Sequence, residues 1–217
     1  MQFIVRRARL IGNFENAGGL FVPPTGTGGT NIWFNGDFAD GVISNGGLTW
    51  TTSSAGDTPI VAKNFKTATG KFYAEFKFVS AFGGIGVANA SFTPSASNYL
   101  GIDSNSVGWY PSSGNIVFAN SVPNNFAFPG RTLASVFQMA VDFGNNDIWF
   151  NVDNGNWNAN PSANPATNTS GLSFGSLGGP SGALAAGSDI AGAGAAVIAN
   201  FGQSAYAFTP PAGFGNW

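Results

Sequence analysis

Apolar and polar residues alternate most clearly between Leu133 and Asn158. Phe137, Met139, Val141 and Phe143 interleave with Gln138, Ala140 and Asp142, and further on Ile148, Phe150 and Val152 interleave with Trp149 and Asn151. That is the period of strands with one buried face. Gly144-Asn145-Asn146-Asp147 supplies a turn between the two runs, so they read as a hairpin. With that loop, Phe143 is expected to face Ile148, Val141 to face Phe150 and Met139 to face Val152, which puts the large apolar residues on one core-facing side. The other face carries Asp142, Trp149 and Asn151. Trp149 on that face is either covered by a later segment or exposed in an interface.

The same alternation recurs upstream. In GKFYAEFKFV, opened by Gly70, the residues Phe72, Ala74, Phe76 and Phe78 are expected to face a core, with Lys71, Tyr73, Glu75 and Lys77 in water. Trp33-Phe34 precede a turn-like Asn35-Gly36-Asp37, Val42 to Ser44 and Leu48 to Trp50 flank Asn45-Gly46-Gly47 as a hairpin, and Pro59 to Lys63 reads as a strand. Ala81 to Ala90 is a strand of small residues whose glycines mark a bulge or a close backbone approach. Short strands are expected around Leu100, at Val107 to Tyr110 and at Ile116 to Phe118. Pro161 to Asp189 lacks sustained periodicity and is expected to be a long surface excursion with one short strand near Leu172 to Phe174. Ala195 to Phe201 and Ala205 to Phe208 close the fold, and Pro210-Pro211 end it. Turn signals every 8–12 residues or so imply an all-β chain of two antiparallel sheets face to face, a β-sandwich.

The first residues stand apart from this pattern. Residues 1–12 read as an ordered arm and Asn13 to Thr30 as its Gly/Pro tether, so residues 1–30 form one unit and 31–217 the sandwich. Phe3 and Val5 share one face of a short strand, and Arg6, Arg7 and Arg9 hold three of the eight basic side chains. The arm is either an edge strand with a solvated basic side or a docking element that adds to a neighbouring subunit, with Phe3, Val5, Arg6, Arg7 and Arg9 as its contacts. Arg6-Arg7 is also a feature of twin-arginine signals, but Glu15 and Gly-rich sequence follow where an apolar run is needed, so no signal peptide is expected.

Composition narrows the chemistry. The 217 residues include Gly 32 and Pro 12, and they are 43% hydrophobic but only 8% charged, which suits turns and strands and excludes a solvated disordered tail. A net charge of −2 without a basic patch beyond the arm argues against nucleic acid, and no apolar run reaches the length of a membrane span. With neither Cys nor His, disulfides, thiolate or imidazole metal sites and Ser-His-Asp triads are excluded.

What remains is oxygen and amide chemistry. Asp142, Asn145, Asn146 and Asp147 could ligate Ca²⁺, although Asn and Asp at a turn commonly bond their own backbone instead, so no metal is assigned. A glycosidase needs two carboxylates about 5–9.5 Å apart. The only glutamates, Glu15 and Glu75, lie in the tether and in a strand, which leaves Asp142 and Asp147 as the sole conceivable pair. Trp109-Tyr110, and Asn154 to Asn158 with Trp157, combine ring faces with polar side chains, and Trp109, Tyr110, Asn154, Asn156 and Trp157 are the candidate ligand-binding residues. A Trp beside a turn also packs against sheet edges, so both readings stay open.

Five stretches occur in the order seen in SPRY (B30.2-like) domains: GKFYAEFKF, GIGVAN, LGIDSNSVGWYPSSGNIVF, FQMAVDFGNNDIWFNVDNGNW and ANFGQSAYAFTPPAGF. From about residue 40 to residue 215 the chain resembles that family, and NPATNTSGLSF with the PPAGFGNW ending is similar to SPRY domains in proteins of tailed bacteriophages. The resemblance implies a bent, concanavalin-like β-sandwich whose edge loops bind a partner, usually protein, with no catalytic activity and no cofactor. Gly70, Tyr73 and Glu75 match its early motif, Asp142, Phe150 and Gly155 its central one, and Asn200, Phe201 and Gly202 its last, all mainly fold-defining positions. The low charge and the 161–189 segment depart from the family, so peptide contacts do not carry over. The expected function is a non-enzymatic virion structural protein, decorating the capsid or forming part of the tail. It would contact other virion proteins through its arm, form a homo-oligomer, and be made in the host cytoplasm. The alternatives are a receptor-binding tip for a host surface glycan or protein and, as a foil, a glycan-degrading enzyme.

Overall fold

Strands whose alternate residues are large and apolar must bury that face, and here two sheets do so against each other. The computed structural model describes residues 33–34, 41–53, 59–62, 66, 69–95, 99–111, 116–119, 121–175, 177, 181–186 and 195–217. The arm, the tether and Phe3, Val5, Arg6, Arg7 and Arg9 lie outside the described residues.

The first sheet has seven strands in the order β1 (Trp33–Phe34), β4 (Pro59–Ala62), β13 (Ser181–Ala186), β6 (Gly84–Asn89), β7 (Ser106–Tyr110), β8 (Ile116–Ala119) and β9 (Val122–Asn125). The second has eight. Its order is β12 (Leu172–Ser173), β11 (Asp147–Val152), β10 (Phe137–Asp142), β5 (Lys71–Phe78), β14 (Ala196–Asn200), β3 (Thr49–Thr52) and β2 (Gly41–Ser44), with β15 (Gly215–Asn216) added in parallel beside β5. Among the described residues no helix is long and apolar enough to cross a membrane.

The core lies between the sheets. Ala74, Phe76 and Phe78 of β5, Phe137, Met139 and Val141 of β10, and Ile148 and Phe150 of β11 meet Ile85, Val87, Val107 and Trp109 from the facing sheet. Burying each large apolar side chain contributes about 1.5–3 kcal/mol. Trp109 is the keystone between the layers, its ring 5.4 Å from Phe137, 5.5 Å from Phe150 and 4.4 Å from Phe128.

The expected hairpin forms and its apolar residues are buried, but the register differs. Val141 lies opposite Ile148, Met139 opposite Phe150 and Phe137 opposite Val152, each partner being two residues from the expected one. Because the shift is even, the same residues stay on the core face. Its cause is local: Asp142 Oδ1 accepts the N–H groups of Gly144 and Asn145 at 3.0 and 3.2 Å, so Asp142 closes the ladder opposite Asp147 and Phe143 moves into the loop.

Other expectations are corrected. Residues 161–189 are not a continuous surface excursion, because β13 runs between β4 and β6 inside the first sheet. Ser-Gly-Ala-Leu-Ala-Ala carries too little contrast between faces for periodicity to register. Leu100 sits in a buried turn rather than a strand, its N–H bonded to the Tyr110 hydroxyl at 2.6 Å. The chain does not finish at Pro210-Pro211, since Gly215 and Asn216 pair with Phe72 and Tyr73 and Trp217 is fully buried against Phe72 and Phe143.

Glycine sets the spacing in the first sheet. Gly86 and Gly108 are direct partners across β6 and β7. A Cβ on Gly86 would run into the Val107 carbonyl, and one on Gly108 into Leu100. Gly86→Ala is therefore expected to destabilise the domain by about 1–3 kcal/mol in urea denaturation. A change near zero would contradict the close approach.

Candidate functional site

Alternation assigns Tyr73, Glu75, Gln138, Ala140, Asp142, Trp149 and Asn151 to the face of the second sheet away from the core. None of them is wet: all seven are buried. The segment from Asn154 to Gly171 and the chain from Asn200 to Trp217 cover this face. Tyr73, Ala140 and Trp149 form a second apolar cluster under Trp157, Ala163, Tyr206 and Phe214. Trp149 donates its indole N–H to the Thr169 carbonyl at 3.0 Å, and Gly171 lies so close that a Cβ there would come within 2.6 Å of the ring.

Polar groups taken from water under this cover need partners. They form one connected chain. Glu75 Oε2 accepts the Ala207 N–H at 2.8 Å, and Oε1 accepts the Phe208 N–H at 2.9 Å and the Tyr73 hydroxyl at 2.8 Å. The Tyr73 hydroxyl accepts from Gln138 Nε2 at 3.0 Å, and Gln138 Oε1 accepts the Asn154 N–H at 2.9 Å. Tyr206 closes over it, its hydroxyl donating to the Tyr73 carbonyl at 2.9 Å. Burial pushes the Glu75 carboxyl up despite the hydrogen bonds it receives, and burial with the Glu75 charge pushes the Tyr73 phenol up. These groups are structural connectors, closed to substrate.

One end of the chain fixes a rim. Asp153 and Asn154 take left-handed backbone (φ 50° and 58°), a conformation Asn and Asp tolerate better than most residues. Asp153 Oδ1 accepts the Val136 N–H at 2.8 Å, and Gly155 N–H donates to the Val152 carbonyl at 2.9 Å. Asn158 is buried and pins the following turn, accepting the Phe150 N–H at 2.9 Å and donating to the Ser170 carbonyl at 3.1 Å. Between this loop and residues 127–129 lies a cleft of about 400 Å³. Ala127, Phe128, Pro129 and Val152 line it with Asn151, Asn154 and Asn156.

The candidate residues part company here. Asn154 and Asn156 are exposed at the cleft, and Trp157 follows them, half-buried with its ring edge-on to Tyr73 at 6.5 Å. Trp109 and Tyr110 are a correction: at 0% and 3% exposure they pack inside the protein and offer no ring face to a ligand. Of the oxygens considered for a cation, both of Asp142 are engaged. Asp142 Oδ2 accepts the Asn145 amide at 2.7 Å and pairs with Lys71 Nζ at 3.2 Å, while Oδ1 holds the turn. Gln138, Phe128 and Pro129 were missed by sequence reasoning, and Asn158, the end of the amide-rich stretch, is buried as a positioning group and does not face the cleft. The available signal was that Tyr73 and Trp149 are too large and apolar for a solvated face.

No protein-family profile matches the chain, and no curated protein matches it. Solved structures do. The SPRY domain of human HERC1 superposes with a TM-score of 0.55 at 13% identity, covering 73% of this chain and 91% of that one. The PSpry domain of TRIM65 gives 0.58 at 10% identity, covering 79% and 92%. The fold is SPRY-like. Part of the longer stonustoxin chain also superposes, with a TM-score of 0.56 at 11% identity over 79% of this chain and 27% of that one.

The Asp142 turn of this SPRY-like sandwich generates a pH prediction. Burial alone would raise the Asp142 carboxyl, but hydrogen bonds from Asn145 and Lys71 with the Lys71 charge outweigh it and hold the group below its ordinary 3.8. A depressed carboxyl stabilises the fold above the unfolded value and loses that contribution as pH falls through the folded one. The stability gap between wild type and Asp142→Asn, measured by urea denaturation, is thus expected to be widest above pH ~4 and to close on acidification. A gap independent of pH would contradict the ionised role.

Proposed function

We propose that the chain is a non-enzymatic interaction module of a phage virion, a SPRY-like sandwich that decorates the capsid or forms part of the tail. The observation that carries the non-enzymatic reading is the rim cleft, whose lining among the described residues holds amides and apolar side chains but no carboxylate or other titratable group. Glu75 is sealed beneath the second sheet, and Asp142 is bound up in its own turn, so neither can serve as the acid or base of a glycosidase. The virion setting is supported by the phage-like 164–174 segment and ending and by a surface poor in charge. Docking to other virion proteins, and homo-oligomer formation, fall to the arm through Phe3, Val5, Arg6, Arg7 and Arg9.

A second reading, a receptor-binding tip for a host surface glycan or protein, is favoured by one feature, the exposed Asn154 and Asn156 at a pre-formed cleft.

Quantitative mass spectrometry of purified particles is expected to find the protein in stoichiometric copy number. Deleting Met1 to Leu10 should leave a folded monomer by circular dichroism and light scattering that no longer assembles. Absence from particles would overturn the virion role, and unchanged oligomerisation would overturn docking by the arm.

A further inference from the structure

We infer that the cleft between residues 127–129 and 151–159 is a binding site for a neutral glycan segment, an inference that rests on reading the domain as a non-catalytic binding module. Its volume of about 400 Å³ falls inside the range of roughly 300–1,000 Å³ typical of small-ligand sites. Among the described residues the lining contains no charged side chain to compensate the desolvation of a charged ligand. The side-chain amides of Asn154 and Asn156 are exposed and make no hydrogen bond to another described residue. A carboxamide donates and accepts at once, which matches neighbouring sugar hydroxyls that do the same. Ala127 and Pro129, both exposed, form an apolar wall suited to the C–H face of a pyranose ring.

The rim is also pre-organised. Asn154 N–H is held by Gln138, Asp153 by Val136, and the 157–159 turn by Asn158, so little ordering remains to be done on binding. A peptide fits less well. Strand addition would need free ladder groups on β11, and the Phe150 N–H on that side is already bonded to Asn158. Nor is there a charged anchor for a peptide side chain or terminus in the lining.

The test is a ¹⁵N-¹H titration of the full chain with neutral oligosaccharides built from glucose, galactose, mannose, rhamnose and N-acetylhexosamines, taken to tens of millimolar. Sialylated oligosaccharides and uncharged peptides serve as separate arms. At least one neutral oligosaccharide is expected to shift amides confined to 127–129 and 151–159. Asn154→Gly, which keeps the left-handed backbone while deleting the amide, and Asn156→Ala should each weaken binding about three- to tenfold. Both should keep the wild-type thermal unfolding curve. The inference is overturned if no neutral glycan shifts the rim, if only acidic glycans or peptides bind there, or if the two variants bind as wild type does. A peptide bound at the cleft would end the glycan assignment yet leave the interaction-module reading standing. That reading fails separately, if a bound oligosaccharide is cleaved, and the virion role fails by absence of the protein from particles.

Discussion

A carboxylate buried beneath the outer face of a sheet is tolerable only if several donors converge on it, and Glu75 organises much of the domain by this requirement. One donor, the Tyr73 hydroxyl, lies beside it on β5, and the other two, the Ala207 and Phe208 amides, come some 130 residues later. Satisfying the charge therefore pulls the C-terminal segment across the sheet. Through Tyr73 and Gln138 the same chain of bonds reaches Asn154, so the closing segment and the rim loop are anchored to one buried group.

The sandwich thereby gains a third layer. The apolar core between the sheets follows from Phe76, Phe137, Phe150 and Trp109. Outside it, the polar chain and the Tyr73, Ala140 and Trp149 cluster are roofed by Trp157, Tyr206 and Phe214. Both faces of β10 and of the middle of β5 and β11 are consequently buried. Among the described residues, the side chains that line the rim cleft are neutral amides and apolar groups.

Much of the architecture was legible because apolar alternation is strong where strands are half-exposed in pattern. The hairpin, its core residues and a two-sheet sandwich could be read from the order of strands and turns, and the SPRY-like arrangement from the five stretches that resemble that family. The register could not, since it depends on whether Asp142 joins the ladder or the loop, and its side-chain bonds to Gly144 and Asn145 decide that locally. β13 escaped notice because Leu184 is the one large apolar residue in its Ser-Gly-Ala-Leu-Ala-Ala sequence, too few to show an alternation. Of the candidate site, the stretch around Asn154 and Asn156 was legible as a turn rich in amides, whereas the burial of Trp109 depended on Phe128 packing over it from a different loop. The role of Glu75 was hidden for the same reason: its partners are far away in sequence.

Amide hydrogen exchange at Asn154, Ala207 and Phe208 tests the account most directly. In the wild-type protein all three should be protected although they lie outside the strands. In Glu75→Ala, Ala207 and Phe208 should exchange at least about tenfold faster, in keeping with ~1.5 kcal/mol or more for a bond to a charged acceptor, while amides of β10 keep their protection relative to global unfolding. Fast exchange at these positions in the wild type, or unchanged protection in the variant, would contradict it.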